Sequence, residues 1–114
     1  MGADYAGTST IVGWSAFDAA NTKMIMTKKI GKTVFVSFIL GGTSNNATTT
    51  FTVPYTNVGG LTAYGISCNS FATIGNVDLG NNGVTVTVHR DGVDTAFPST
   101  GSKYVYGSLF YESA

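Results

Sequence analysis

Few side chains in this sequence can do acid–base, nucleophilic or metal chemistry: one histidine, His89, one cysteine, Cys68, and six carboxylates, Asp4, Asp18, Asp78, Asp91, Asp94 and Glu112. Catalysis needs an acid, a base or a nucleophile converging within hydrogen-bond reach. His89, Arg90 and Asp91 spell the tripeptide of a kinase catalytic loop. The glycine-rich phosphate loop, the strand lysine and the metal-binding aspartate that give the tripeptide its role are missing. A serine or cysteine nucleophile would have only His89 as its base, and no nucleophile-elbow sequence accompanies it. Asp78 with Asp91 or Asp94 could form the two facing carboxylates of glycoside hydrolysis, but nothing in their spacing selects them. One His and one Cys do not complete a tetrahedral zinc site, and Asp91 with Asp94 lacks the dense oxygen spacing of a calcium loop. The chain is therefore expected to be no enzyme and to hold no metal or cofactor.

What remains is the chemistry of weakly charged recognition. Aromatic rings on loops can stack on sugar rings, and amides or a carboxylate can bond hydroxyls. Tyr55, Tyr64, Asn45, Asn46, Asn81, Asn82 and Asp91 are the candidate ligand residues, with Trp14 and Tyr104 as further aromatics. Each has a structural alternative, in which Trp14 anchors the core and the asparagines make turns. Asn46, Ala47 and Thr48 fit a glycosylation acceptor, a pattern short enough to arise by chance in a chain rich in Asn and Thr. With no basic cluster or histidine beside it, Cys68 is expected to act as a small buried hydrophobe.

The elements that must position these residues read as strands. The 114 residues suit one domain, and a lone cysteine excludes an intrachain disulfide framework. Charged residues make up 11%, six basic against six acidic, which leaves no field to gather nucleic acid or an anionic membrane. No apolar stretch approaches the roughly 20 residues of a membrane span, and nothing at the start reads as a signal peptide. Low charge with a Thr, Ser, Asn and Gly surface is common among extracellular β-proteins. Residues 1–10 are small and polar, a lead-in expected to be partly flexible, and residues 11–114 form the single domain. Strands are expected over 11–14, 23–30, 33–40, 49–53, 61–69, 71–76, 77–79, 84–89 and 103–111, with 91–96 as an optional further short one. Gly31 and Lys32 make a hairpin turn, 41–47 a loop, Pro54 a strand end, and Gly80, Asn81, Asn82 and Gly83 a turn. Roughly eight or nine short strands at this spacing predict an all-β, antiparallel sandwich of jelly-roll type.

Alternation assigns the faces. Val84, Val86 and Val88 share one side of their strand, with Thr85, Thr87 and His89 on the other. Val34, Val36, Phe38 and Leu40 form a core face, yet Phe35 and Ile39 lie opposite them. In the last strand Val105, Leu109 and Tyr111 oppose Tyr104, Tyr106 and Phe110. A sandwich covers one face of each sheet, so strands apolar on both faces need a second partner, and another copy of the chain is the simplest one. Phe35, Ile39, Tyr106 and Phe110 are the expected interface.

The run Lys28, Lys29, Ile30, Gly31, Lys32, Thr33, Val34, Phe35, Val36, then Gly42, Thr43, Ser44, Asn45, then Thr50, Phe51, Thr52, Val53, Pro54, Tyr55, resembles the ends of bacteriophage tail-fibre and tail-spike proteins. There a lysine–glycine turn leads into a strand, a glycine-rich loop and a strand ending in a Leu-Pro or Val-Pro step. The closing run from Gly101 through Tyr104, Tyr106 and Phe110 to Glu112 is similar to the final strand of such domains. The resemblance extends from Trp14 onward and implies a homotrimeric, jelly-roll-like head at the virion's fibre tip. Such a head binds a host cell-surface receptor, often a glycan and otherwise a protein. Its binding residues vary, so none carries over. The alternatives are a structural or decorating virion protein and a carbohydrate-binding module of a secreted bacterial protein.

Overall fold

The computed structural model describes residues 2–18, 22–93 and 95–114. Among them are nine strands: β1 Ala3–Asp4, β2 Trp14–Phe17, β3 Lys23–Ile30, β4 Thr33–Ser44, β5 Thr50–Thr52, β6 Ala63–Asn69, β7 Ile74–Leu79, β8 Thr85–Val88 and β9 Ser102–Glu112. The fold is all-β and every pairing is antiparallel. Where two stacked sheets were expected, hydrogen bonding runs through one sheet in the order β1-β3-β4-β9-β6-β7-β8-β5. β2 joins the far half of β4, through Trp14↔Ser44 and Phe17↔Gly42, on the side that β3 has vacated. Just before β2, Val12 and Thr50 exchange both backbone hydrogen bonds, at 2.9 and 3.1 Å. The last strand in the order is thereby tied back to the third, and the sheet curls around its core.

The inner face is the one alternation predicts. Val34, Val36, Phe38 and Leu40 of β4 are buried, as are Val86 and Val88 of β8, with Val84 partly buried beside them. Val105, Leu109 and Tyr111 of β9 join them. Phe38 and Phe51 meet at 4.9 Å between ring centroids although β4 and β5 lie far apart in the strand order, so the curled halves pack against each other.

Several elements differ from expectation. The lead-in is built into the sheet: Ala3 pairs with Thr27, the Tyr5 N–H bonds the Ile25 carbonyl at 2.7 Å, and Ser9 Oγ donates to the Thr52 carbonyl at 2.8 Å. The first long-range strand after it is Trp14–Phe17 rather than 11–14, because Val12 is used in the bridge to Thr50. β4 continues through Gly41 and Gly42, where a loop was expected. The Tyr104 ring lies where a Gly41 side chain would go, and the Ala16 carbonyl occupies the same place at Gly42, so these glycines mark close approach within a strand. The strands expected over 71–76 and 77–79 join into a single strand, β7, because Asn76 and Val77 pair without interruption with Ile66 and Gly65. The optional strand over 91–96 falls partly on Asp94, outside the described residues; Asp91, Gly92 and Val93 are turn. Cys68 is half-buried on the outer face, not in the core, because it alternates with the inward Ser67 and Asn69.

The loop between β5 and β6 is held by Asn57, which is 1% exposed. Its Nδ2 donates to the carbonyls of Leu61 and Leu79, both at 3.0 Å, and its Oδ1 accepts the Gly59 N–H at 3.1 Å. Asn57→Ala leaves these buried groups without partners and is expected to lower stability by about 2–3 kcal/mol. Urea denaturation measures it, and an unchanged midpoint would mean that water replaces the amide in full.

Candidate functional site

The outer face of β3, β4, β9, β6 and β7 is apolar over an unusual area. Register places Phe35 opposite Phe110, and Ile39 opposite Tyr106. The Phe35 and Phe110 rings lie 6.1 Å apart. β6 docks on the other side of β9 and adds Tyr64 beside Phe110 and Ile66 beside Ser108, and β7 adds Ile74. All seven large side chains are exposed, from 42% for Ile39 to 72% for Ile74. Taking roughly 200 Å² for a whole large side chain, they leave on the order of 800 Å² of apolar surface bare. That exceeds the few hundred Å² of the largest patch on a typical monomer. Ser37 and Ser108 are short, so the taller residues around them wall a groove of about 480 Å³ that Met26, Phe35, Tyr64, Ile66 and Phe110 help to line.

The four residues expected to form an interface thus lie on one continuous face. Tyr64, expected as a ligand residue, belongs to it too. Ile66 and Ile74 were missed, although their alternation with buried Gly75, Ser67 and Val77 is a signal in the sequence.

The remaining ligand candidates do not come together. Tyr55, Asn81 and Asn82 sit at the end of the sheet where β7 stops and β8 starts, and Asn45, Asn46 and Asp91 sit at the opposite end. The two groups are separated by most of β4, about 35 Å at strand rise. Much of their polar capacity is already used. The Tyr55 ring carries the Lys29 ammonium at 4.8 Å, and its carbonyl accepts the Tyr111 hydroxyl at 2.6 Å. Asn81 Oδ1 accepts the Gly60 N–H, Asn46 Oδ1 accepts the Thr48 N–H, and Asn82 takes the positive φ of 65° that its turn requires. Asp91 Oδ1 caps the N–H groups of Val93 and Thr95, and hydrogen bonding from Thr95 holds its carboxyl below the ordinary carboxylate range.

Two charged clusters flank β7 and β8, the first on the outer face level with Tyr64 and the second at the end that holds Asp91. His89 Nε2 and Asp78 Oδ2 are 2.5 Å apart, so among the described residues the partner of Asp78 is a histidine; Asp94, one of the carboxylates considered for it, lies outside them. Arg90 stacks its guanidinium on Phe71 at 4.6 Å and donates to the Ala96 carbonyl at 3.1 Å. Among the described residues no three of His, Cys, Asp and Glu converge on a point.

Deeper in, Lys103 points into the core and is fully buried. Its Nζ donates to the Asn46 carbonyl at 3.0 Å and to Thr49 Oγ1 at 2.9 Å, and lies 4.4 Å from the Trp14 ring centre. The Trp14 Nε1–H donates to the Lys103 carbonyl at 2.9 Å, which fixes the indole as a core anchor and removes it from ligand stacking. Burial pushes the Lys103 ammonium down to about 8. Gly13 is required beside it: its φ is +127°, and a side chain there would meet Lys103 Nζ at 2.6 Å. The signal was present in the sequence, since Lys103 has the same parity as Val105, Leu109 and Tyr111.

Comparison with known proteins finds no family model, no curated protein and no solved structure that matches this chain.

Proposed function

We propose that this chain is a non-enzymatic receptor-binding head domain that self-associates through the outer face of its sheet, as at the tip of a phage tail fibre. The observation that supports it is that face: seven exposed large apolar side chains contributed by β4, β9, β6 and β7. Their area, on the order of 800 Å², is what one partner contributes to a stable protein–protein interface of standard size. The number three, the extracellular place on the virion and the host ligand, a glycan or a protein, rest on the resemblance of residues 28–36, 42–45, 50–55 and 101–112 to fibre heads. Single loop sites of low charge bind weakly, and a homotrimer strengthens them by avidity.

Sedimentation of the purified chain tests the assembly, with a trimer as the expected result and a monomer at micromolar concentration as the outcome that removes the reading. Phe110→Lys places a charge in the middle of the face without touching the core. It is expected to give a folded monomer, with the association constant lowered at least about 100-fold, as loss of a buried aromatic and desolvation of an unpaired ammonium require.

The dispersal of Tyr55, Asn81 and Asn82 to one end and Asn45, Asn46 and Asp91 to the other favours a second reading, a structural or decorating virion protein without a host ligand. A glycan array probed with the oligomer separates the two. Specific binding selects the head, and its absence with the oligomer intact selects the decorating protein.

A further inference from the structure

The strand register arranges the outer face in rows across the sheet. Lys28 pairs with Phe35, Phe35 with Phe110, and Tyr64 with Asp78, while the pairing of Gly65 with Leu109 sets Tyr64 beside Phe110. One row therefore runs Lys28, Phe35, Phe110, Tyr64, Asp78: an ammonium, three aromatic rings and a carboxylate. The lower row on the same face begins at Met24 and ends at Ile74. Asp78 gives one oxygen to His89 and its side chain remains 29% exposed, and a carboxylate has lone pairs for further donors.

These charges discriminate between ways of stacking one face on another. A symmetry axis running across the strands inverts the order of the rows, so Lys28 would meet Met24 of the next copy and Asp78 would meet Ile74. Both charges would then lose water without gaining a partner. An axis running along the strands keeps each row level with itself and reverses its ends, so that Lys28 of one copy abuts Asp78 of the next while the aromatic residues meet between them. The same contact arises for two copies or for three, because a cyclic arrangement about that axis always brings opposite ends of a row together.

We propose that copies of this chain assemble outer face to outer face about an axis parallel to β4 and β9, closed by an ion pair between Lys28 of one copy and Asp78 of the next. This rests on the self-association proposed above and adds the orientation of the copies and the residues that fix it.

The test is cross-linking in a Cys68→Ser background, with Lys28→Cys and Asp78→Cys in the same chain. Within one chain these positions are four strand spacings apart, about 19 Å along the sheet. A disulfide needs Cα atoms within roughly 7 Å, so any bond formed joins two copies. Mild oxidation is expected to convert most of the protein to covalent oligomers on a non-reducing gel, while Lys28→Cys with Met24→Cys stays largely uncrosslinked. The reverse pattern in a protein that still sediments as an oligomer overturns the orientation and leaves self-association standing. A monomer in sedimentation with neither pair cross-linked overturns both.

Because the cysteine variants remove the charges, a second measurement addresses the ion pair. Lys28→Glu alters an exposed side chain and should leave the melting curve unchanged while weakening association about tenfold at low salt, less at high salt. An association constant that does not move eliminates the ion pair.

Discussion

Val86→Asp is expected to leave the chain unfolded at neutral pH, with the strand signal lost in circular dichroism. Val86 is fully buried and pairs with Phe51 on one side and Leu79 on the other, both fully buried as well. None of these neighbours can donate to a carboxylate. The aspartate must either ionise without a partner or take up a proton, and a shift of 3–5 pKa units for a fully buried acid corresponds to about 4–7 kcal/mol. Loss of the valine's burial adds about 1.5–3 kcal/mol. Folded domains hold only about 5–15 kcal/mol in total, so the sum is enough to unfold most of them. Thr85→Asp, one residue earlier on the exposed side of β8, should change stability by less than about 1 kcal/mol. A Val86→Asp variant that melts like the parent would place β8 in the opposite register.

The contrast between Val86 and Thr85 is legible in the sequence because alternation is local: it needs only a strand and its parity. The same reasoning puts Val34, Val36 and Phe38 inside and Phe35 and Ile39 outside. What local pattern cannot supply is which strands are neighbours. β6 and β9 pair across about forty positions of chain, and that pairing is what joins Tyr64 and Ile66 to Phe110 and makes two apolar strips one face. Glycine misled in a consistent direction. Gly41 and Gly42 read as loop, yet each occupies a strand where a neighbouring ring or carbonyl needs the space of a side chain. The ligand candidates were chosen by residue type, which identifies what could bond a hydroxyl but not whether a turn already uses it, as at Asn46, Asn81 and Asp91. Lys103 is the reverse case. Its parity points to the core and its charge to the surface, the sequence alone makes no assignment for it, and the acceptors brought from Asn46 and Thr49 resolve the conflict.

That buried lysine makes stability depend on alkaline pH, in a direction that can be worked out. An ordinary lysine titrates at 10.5 and Lys103 in the folded chain at about 8, because burial disfavours the ammonium. Between those values the unfolded chain binds the proton and the folded chain does not, so stability rises with pH across that window. Each unit of pH contributes about 1.4 kcal/mol, so the gain from pH 8 to pH 10 is about 2–3 kcal/mol. Tyr111 acts in the opposite sense. Burial raises its phenol from 10.0 to about 12, so the unfolded chain ionises first and stability falls from pH 10 to pH 12. The two together predict a stability maximum near pH 10 instead of the usual neutral range, measured by denaturant midpoints from pH 7 to pH 12. Lys103→Met keeps the length and apolar contact of the side chain and should abolish the rise between pH 8 and pH 10 while leaving the fall above it. Tyr111→Phe should do the converse. A wild-type midpoint that is flat from pH 8 to pH 10 would mean that the Trp14 ring face, the Asn46 carbonyl and the Thr49 hydroxyl solvate the ammonium as well as water does, and would overturn the prediction.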